Sequence, residues 1–147
     1  MFDALIKKIL SARVYDVATE TPVHPAPFLS KRLGRTVFFK REDLQPVYSF
    51  KCRGAYNKMV SIPREILAKG VIAASAGNHA QGVALGAQKL KIPAIIVMPT
   101  TTPAIKVRSV KARGAQVVLH GDSFDEAFEK SQELVTEYGY TLSLIHI

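Results

Sequence analysis

Three short runs of mostly apolar residues mark the second half of the chain, at 71–75, 94–98 and 116–120. Each run is continuous rather than alternating between apolar and polar residues, which is typical of parallel strands buried on both faces. Helical patterns lie between and after these runs, at 77–91, at 103–113 and from Ser123 to Gly139. Strands that alternate with helices at this spacing predict a parallel α/β sheet with right-handed crossovers.

The ends of two of these helices can be predicted from single residues. Ser123 and Glu126 have the spacing of a capping box, in which each side chain bonds a backbone N–H of the other residue. The preceding helix is predicted to begin at Thr102 as its cap, with Pro103 in the first turn, and to end at Gly114. One face of the last helix is predicted to be apolar and to carry Phe124, Ala127, Phe128, Leu134, Val135 and Tyr138.

The first fifty residues have a less regular pattern. Residues 1–20 are expected to be a helix or a helical lead-in, whereas three prolines within 22–27 exclude a regular helix there and indicate an irregular stretch. A short helix is predicted from Phe28 to Leu33, with Gly34 as its stop, and a strand at 36–40. Residues 41–50 are a predicted loop, after which a helical pattern resumes at 51–60.

Composition narrows the class of protein. The chain has 147 residues, of which 48% are hydrophobic and 22% charged, so it is expected to fold around a core of its own. The lone Cys52 excludes an internal disulfide and favours a reducing, cytoplasmic location. The four histidines lack metal-like spacing, so no metal is predicted. No apolar run reaches membrane-spanning length, and we expect no membrane association.

The net charge of +8 predicts attraction to anions, which could be nucleic acid, a phosphate cofactor or an acidic partner. The lysines and arginines are scattered through helices and loops and do not form one dense run interleaved with aromatic residues. This distribution argues against nucleic acid as a partner. The simplest interpretation is that the basic residues lie on helix faces exposed to solvent, including Lys106, Arg108, Lys111 and Arg113.

Two segments carry candidate chemistry. Residues 75–79 (SAGNH) follow the first strand and open a helix, and the free N–H groups of a helix start can hold a carboxylate or phosphate. Residues 49–55 (SFKCRGA) place Lys51 beside an aromatic residue and close to a glycine, and a desolvated lysine can attack an aldehyde. Taken alone, the segments are equally compatible with a structural turn and a surface lysine. No glycine motif for dinucleotides or nucleoside triphosphates accompanies them.

Three motifs together resemble the serine/threonine dehydratase family of fold type II pyridoxal-phosphate enzymes. They are KREDLQ at 40–45, SFKCRGA at 49–55 and SAGNHAQGVA at 75–84, and the resemblance runs from about residue 12 to 141. The segment ARVYDVA at 12–18 is most similar to the biosynthetic threonine deaminase branch. The resemblance implies a tryptophan synthase β-like fold, a parallel three-layer α/β/α sheet. In that fold, 1–52 would belong to an incomplete large cofactor domain, 53–141 to the small domain and 142–147 to an atypical tail.

The resemblance also implies roles for individual residues. Lys51 matches the lysine that forms the Schiff base with pyridoxal 5'-phosphate, and Phe50 matches the aromatic residue beside the cofactor ring. Asn78 matches the residue that hydrogen-bonds the cofactor's phenolic oxygen. The loop that receives the substrate carboxylate is matched by Ser75, Gly77, Asn78 and His79.

The implied reaction is a β-elimination that converts L-threonine to 2-oxobutanoate and ammonia, the entry step to isoleucine. Lys51 would take the Cα proton, serine would be a lesser substrate, and the full-length protein would be a homotetramer. Ala76 occupies the position where related racemases have a serine that transfers a proton, which favours deamination. The alternatives are a serine dehydratase, a racemase or a sulfhydrylase-type synthase of the same fold, or a non-catalytic truncated α/β module.

Several remaining features are expected to be structural or foreign to the family. The family's phosphate-binding glycine run, its pyridine-nitrogen contact and its regulatory domain are not found in this sequence, so the isolated chain is expected to be inactive. Residues 142–147 alternate as a strand could, but they do not resemble the family's continuation, and we expect a foreign tail. Cys52 is predicted to be a packing residue, and Glu42 and Asp43 structural charges. Exposed apolar surface is expected where the large domain would pack.

Overall fold

The computed structural model describes residues 2–143 and contains seven α-helices and six strands within that range. The helices are α1 Phe2–Leu10, α2 Pro27–Leu33, α3 Lys51–Val60, α4 Arg64–Leu67, α5 Asn78–Leu90, α6 Ala104–Lys111 and α7 Phe124–Tyr138. The strands are β1 Val23–Pro25, β2 Phe38–Lys40, β3 Val71–Ala74, β4 Ala94–Met98, β5 Gln116–Leu119 and β6 Thr141–Leu142. Two short 3₁₀ helices, Val14–Asp16 and Glu42–Leu44, lie in the first half.

Four strands form a parallel sheet in the order β5-β4-β3-β6. Every residue of β3 and β4 is buried, as the continuous apolar runs predicted. The prediction is wrong for β5, in which Gln116 and Leu119 are exposed. The reason is position, because among the strands of residues 2–143 β5 lies at the edge of the sheet and pairs with β4 alone.

The sheet is covered on both faces, which confirms the predicted α/β architecture. Successive side chains of a strand point to opposite faces, so each central strand contributes to two cores. On one face, side chains from β3 and β4 pack against helices α3, α5 and α6, and the cluster includes Met59, Val71, Ala73, Val83, Ile96, Met98 and Val110. On the other face, the cluster is Ile72, Ile95 and Val97 with Ala127 and Leu134 of α7.

The first region departs from its sequence pattern in two places. Helix α1 ends at Leu10 instead of near residue 20, and the next turn is held by a tertiary contact, since the Tyr56 hydroxyl donates to Asp16 Oδ2 at 2.8 Å. The stretch predicted to be irregular contains β1, which pairs antiparallel with β2. A strand tolerates proline at an edge, and the carbonyl of Pro22 still accepts from the Arg41 N–H at 3.0 Å.

The predicted helix ends are right in most places and wrong in one. The capping box of α7 is present, because Ser123 Oγ accepts from the Glu126 N–H at 3.2 Å and Glu126 Oε2 from the Ser123 N–H at 3.0 Å. Helix α6 is capped by Pro103 and not by Thr102, whose hydroxyl is buried and has no partner within residues 2–143. Its backbone turns into the helix one residue later than predicted.

The structure differs from the sequence pattern in three smaller features. Helix α4 had no counterpart in the sequence pattern, and the loop predicted at 41–50 contains a 3₁₀ turn. Phe124 and Tyr138 of the predicted apolar face are half exposed, because they lie at the two ends of α7. No helix within residues 2–143 is both long and apolar enough to cross a membrane.

The C-terminal stretch begins inside the sheet. Strand β6 pairs with β3, and the N–H of Ser143 donates to the carbonyl of Ile72 at 2.7 Å. Leu142 therefore completes the small sheet, which was one of the two expectations for 142–147. Residues 144–147, with His146, lie outside the described residues, and the foreign origin of the tail remains a prediction, as do the proposed domain boundaries.

Candidate active site

The turn between β3 and α5 is organised by a buried serine. Ser75 Oγ accepts from the N–H of Gly77 at 3.2 Å and from that of Ala80 at 3.3 Å. Helix α5 begins at Asn78, so the N–H groups of Asn78 and His79 lie in its first turn, where the helix has no carbonyl for them. These N–H groups and the positive end of the helix dipole favour a bound carboxylate or phosphate.

Lys51 lies beside this turn because α3 packs closely on α5. The two backbones are close at Gly82, where a Cβ would lie 3.0 Å from the carbonyl oxygen of Lys51. Gly82 is one helical turn after Asn78, so the start of α3 is held next to the start of α5. At Gly86, one turn further along, a Cβ would collide with the end of the Met59 side chain. Two glycines one turn apart therefore bring the predicted site segments together.

The amine of Lys51 is directed toward an aromatic ring. Its Nζ lies 5.4 Å from the centroid of the Phe50 ring, within the range of a cation–π contact. Lys51 is half-buried and forms no ion pair with any carboxylate in the part of the chain that the structure describes. Lys51 is also the first residue of α3. The amine is therefore available for chemistry rather than tied to a structural partner.

His79 is buried, and its side chain faces the sheet. Its Nε2 lies 3.2 Å from the carbonyl oxygen of Ser143. Burial lowers the pKa of His79, the bond to Ser143 opposes that shift, and the charge of Lys51 adds to it. The imidazole is therefore neutral at pH 7 and donates its Nε2–H to Ser143. The backbone N–H of His79, in the first turn of α5, is the donor that this residue offers to a carboxylate, which refines the role that the sequence predicted.

Asn78, by contrast, is exposed at the start of α5. Its Oδ1 accepts from Lys106 Nζ of α6 at 3.5 Å. An ammonium group can only donate, so the amide oxygen faces Lys106 and the NH₂ group is left as a donor on the other side. Sequence reasoning named Asn78 but did not identify Lys106 as its neighbour.

A polar cluster of Thr21, Glu42, Gln45 and Arg53 supports the segment before Lys51. Arg53 Nε donates to Glu42 Oε2 at 2.8 Å and Arg53 Nη2 to Glu42 Oε1 at 3.1 Å, while Thr21 Oγ1 donates to Glu42 Oε1 at 2.6 Å. The Arg53 guanidinium, with Thr21 and Gln45, lowers the pKa of Glu42 to about 2 against an opposing effect of burial. The two charges were visible in the sequence, but their pairing depends on the fold.

Gln45 and Cys52 join this cluster to the core. Gln45 is buried, its Nε2 donates to the carbonyl of Thr19 at 2.9 Å, and its Oε1 accepts from the N–H of Thr19 at 2.9 Å. Cys52 is fully buried beside Val47, and burial raises the pKa of its thiol. Cys52 is therefore an apolar packing residue, as the sequence predicted. Within residues 2–143, no group of three His, Cys, Asp or Glu side chains could hold a metal ion.

Comparison with known proteins identifies the family of this chain. A family model described as pyridoxal-phosphate dependent enzyme matches residues 14–143. The tomato (Solanum lycopersicum) protein threonine dehydratase 1 biosynthetic, chloroplastic is 61% identical over 136 residues, which cover 92% of this chain and 22% of the relative. The chain spans about a quarter of the length of the curated relatives it matches.

Two solved structures show the same fold. The processed form of threonine deaminase isoform 2 from Solanum lycopersicum superposes with a TM-score of 0.89 at 54% identity, covering 97% of this chain and 40% of that one. Maize serine racemase superposes with a TM-score of 0.87 at 35% identity, covering 95% and 42%. These matches confirm the resemblance inferred from the three motifs and the fold type II architecture. The chain belongs to the family of pyridoxal-phosphate-dependent enzymes.

Proposed function

We propose that this chain is part of an ammonia-lyase that deaminates L-threonine to 2-oxobutanoate and ammonia, with Lys51 as the cofactor lysine. The observation that carries the proposal is the packing of α3 on α5 at Gly82, which places Lys51 beside the SAGNH turn. The tomato relatives named threonine dehydratase and threonine deaminase support threonine as the substrate.

The residues present fit pyridoxal phosphate. The cofactor carries an aldehyde, which an amine without a carboxylate partner can bind, and when bound it delocalises negative charge from the substrate's Cα. Lys51 provides that amine, and the adjacent Phe50 ring provides a flat apolar surface beside it. The NH₂ group of Asn78, on the side of the amide away from Lys106, would donate to the phenolic oxygen of the cofactor.

Residues of this chain have separate roles in the elimination. The N–H groups of Asn78 and His79, held by the Ser75 turn next to Gly77, bind the substrate carboxylate. Binding at this point orients the Cα–H bond toward Lys51, whose amine takes the proton as the general base. The Cα proton and the β-hydroxyl leave together as water, and hydrolysis of the resulting 2-aminocrotonate by a second water gives 2-oxobutanoate and ammonia.

Substrate choice has one close alternative. The similarity to maize serine racemase leaves a racemase or a serine dehydratase as the second candidate. Ala76 favours elimination, because its methyl group cannot deliver a proton to the opposite face of Cα. Serine is proposed as a lesser substrate, since the chemistry does not need the methyl group of threonine. The alternative from another class is a non-catalytic α/β module, since the chain spans about a quarter of the length of its relatives.

The biological setting is proposed from the same relatives. A biosynthetic threonine dehydratase feeds isoleucine synthesis, and we propose this role together with a homotetrameric full-length protein and no nucleic-acid or membrane partner. A cytoplasmic location is proposed on the buried, unpaired thiol of Cys52, which suits a reducing compartment. The tomato relative carries the word chloroplastic in its name, so a fractionation experiment has to distinguish the two compartments.

The test uses the full-length protein that carries this chain. Borohydride treatment with pyridoxal phosphate, followed by peptide mass spectrometry, is expected to fix the cofactor on Lys51. Lys51→Ala is expected to abolish 2-oxobutanoate formation from threonine, with a loss of at least about 10³-fold. Lys58→Ala, an exposed lysine on the same helix, is the matched control and should leave both readouts unchanged. Fixation on another lysine, or an active Lys51→Ala protein, would contradict the proposal.

A further inference from the structure

We propose that Arg113, which follows the C-terminal end of α6, is a positioning residue for the site and holds the loop 46–50 that leads into Lys51. This inference deepens the proposed function and rests on it. Arg113 does not reach the predicted ligand-binding groups, so it is a positioning residue and not a catalytic one. In the sequence, Arg113 was interpreted as part of a solvated helix face.

The Arg113 guanidinium links two distant parts of the chain. Its Nη2 donates to the carbonyl of Pro46 at 2.9 Å, and its Nη1 donates to the carbonyl of Ser109 on α6 at 2.6 Å. The guanidinium is planar and has donors in fixed directions, so two bonds restrict its orientation. Pro46 is 67 residues earlier in the chain, and the bond therefore joins the C-terminal end of α6 to the loop before α3.

The loop has a conformation that needs external support. Tyr48 has φ of 55°, in the left-handed region that a bulky side chain rarely adopts, and 77% of it is exposed. Such a residue persists only where neighbouring contacts impose its conformation. On the inner side, those contacts are the buried Gln45 and Val47, and Gln45 also accepts from the Tyr48 N–H at 2.7 Å. On the outer side, the contact is the bond from Arg113 to Pro46.

A shift of this loop would reach Lys51 directly. Only Ser49 and Phe50 separate Tyr48 from Lys51, and the Lys51 N–H lies 3.3 Å from Ser49 Oγ as α3 begins. The loop therefore sets where α3 starts and in which direction its first side chain points. Loss of the bond from Arg113 would leave the loop free to relax at Tyr48 and to misdirect the Lys51 amine.

The same helix also contacts the second segment of the site. Lys106, near the N-terminal end of α6, donates to Asn78 Oδ1 at 3.5 Å, while Arg113 follows the other end of the helix. Helix α6 and Arg113 after it thus contact both the turn proposed to bind the carboxylate and the loop that precedes Lys51. The position of α6 therefore affects both segments of the site.

The first readout needs no cofactor. Arg113→Ala and the control Lys111→Ala are made in the full-length protein, and hydrogen exchange of the segment 46–53 is followed in the cofactor-free state. Lys111 is exposed on α6 and its loss removes the same charge. We expect exchange in this segment to be about tenfold faster in Arg113→Ala, because a hydrogen bond from a charged group is lost, and unchanged in Lys111→Ala. Equal exchange in the two variants would overturn the proposal.

The second readout separates positioning from general stability. Arg113→Ala should lower kcat for threonine about tenfold with KM changed less than about twofold, since the lysine is misdirected while the carboxylate turn is intact. A fall in stability with kcat unchanged would assign Arg113 a structural role only. Arg113→Lys keeps the positive charge but lacks the planar guanidinium, so we expect its exchange rate and kcat to lie between those of the wild type and Arg113→Ala. If Arg113→Ala does not fold, Arg113→Lys is the test, and wild-type exchange and kcat in it would overturn the proposal. If exchange is faster in Arg113→Ala but the Lys51→Ala protein is active, the proposed function is contradicted and the role of Arg113 in holding the loop is not.

Discussion

Residues 2–50 and residues 51–143 are built in different ways. In the second region, the central strands β3 and β4 are completely buried between helices on both faces. In the first region, the buried apolar side chains are Ala18, Ala26 and Val47. Many of its large apolar side chains are at least half exposed instead, and these include Val23, Phe28, Leu33, Phe38, Phe39 and Tyr48. Phe28 is 91% exposed.

This difference in burial shows that different interactions stabilise the two regions. Burial of apolar surface stabilises the sheet region. The first region depends on polar contacts, chiefly the ion pair of Glu42 with Arg53 and the bonds of Gln45 to Thr19. Its exposed apolar face agrees with the expectation of a surface that further chain would cover, and this covering remains a prediction. Lys51 lies at the boundary between the two regions, so the site depends on both.

The largest expected effect is the loss of core packing in the sheet region. Ile96 is fully buried in β4, and Ile96→Ala removes three methyl or methylene groups from a packed core. We expect a loss of about 2–5 kcal/mol in the free energy of unfolding, measured by urea denaturation. Ile105→Ala, on an exposed position of α6, is the matched control with little expected change. A similar loss in both variants would mean that the sheet region is not the stable core.

The next effect tests the boundary between the regions. At Gly82, a Cβ would lie 3.0 Å from backbone oxygen and 3.1 Å from backbone carbon of Lys51, and backbone atoms cannot move aside easily. Gly82→Ala should cost about 1–3 kcal/mol and lower kcat by displacing Lys51.

Gly86→Ala is the control for that prediction, because its added methyl group meets the flexible end of Met59 rather than backbone. We expect a smaller loss of stability and little change in kcat. If the two variants had equal kcat values, close packing at Gly82 would not be what places Lys51.

A pH-dependent effect tests the polar contacts of the first region. The pKa of Glu42 is about 2 in the folded protein, below its ordinary 4.5, so its stabilising contribution is complete above pH 4.5. The contribution is lost as the pH falls from 4.5 toward 2, because the carboxylate must be protonated. Glu42→Gln should cost about 1–2 kcal/mol at pH 7 and flatten this acid limb of stability against pH. Asp43 is an exposed partner of Arg41, so Asp43→Asn is the control and should have a smaller effect. If the loss of stability between pH 4.5 and 2 were unchanged in Glu42→Gln, Glu42 would not be its cause.

The smallest effect is expected on the exposed face of the first region. Phe38 lies on β2 with more than half its surface exposed, and Phe38→Ala should change the stability of this chain by no more than about 0.5 kcal/mol. In the full-length protein, the same substitution should cost several-fold more if further chain covers this face. Denaturation of both forms measures the difference. A large loss in the short chain would show that the first region has an apolar core after all.

The sequence pattern was sufficient where local and tertiary preferences agree. The continuous runs at 71–75 and 94–98 predicted buried parallel strands, and the capping box at Ser123 and the stop at Gly139 were found as expected. It failed where a distant partner decides the local structure. The 3₁₀ turn at Val14–Asp16 is held by the Tyr56 hydroxyl, and the strand at Val23–Pro25 depends on its pairing with β2.

The candidate site divides in the same way. Three motifs were enough to identify the family and to name Lys51, Phe50 and the SAGNH turn as candidates, because those residues are contiguous in the chain. The tertiary structure alone decided that α3 meets α5 at Gly82, that Arg53 pairs with Glu42, and that Arg113 bonds the carbonyl of Pro46. These contacts join residues that are 11 to 67 positions apart. Periodicity cannot predict them, since it describes only one element at a time.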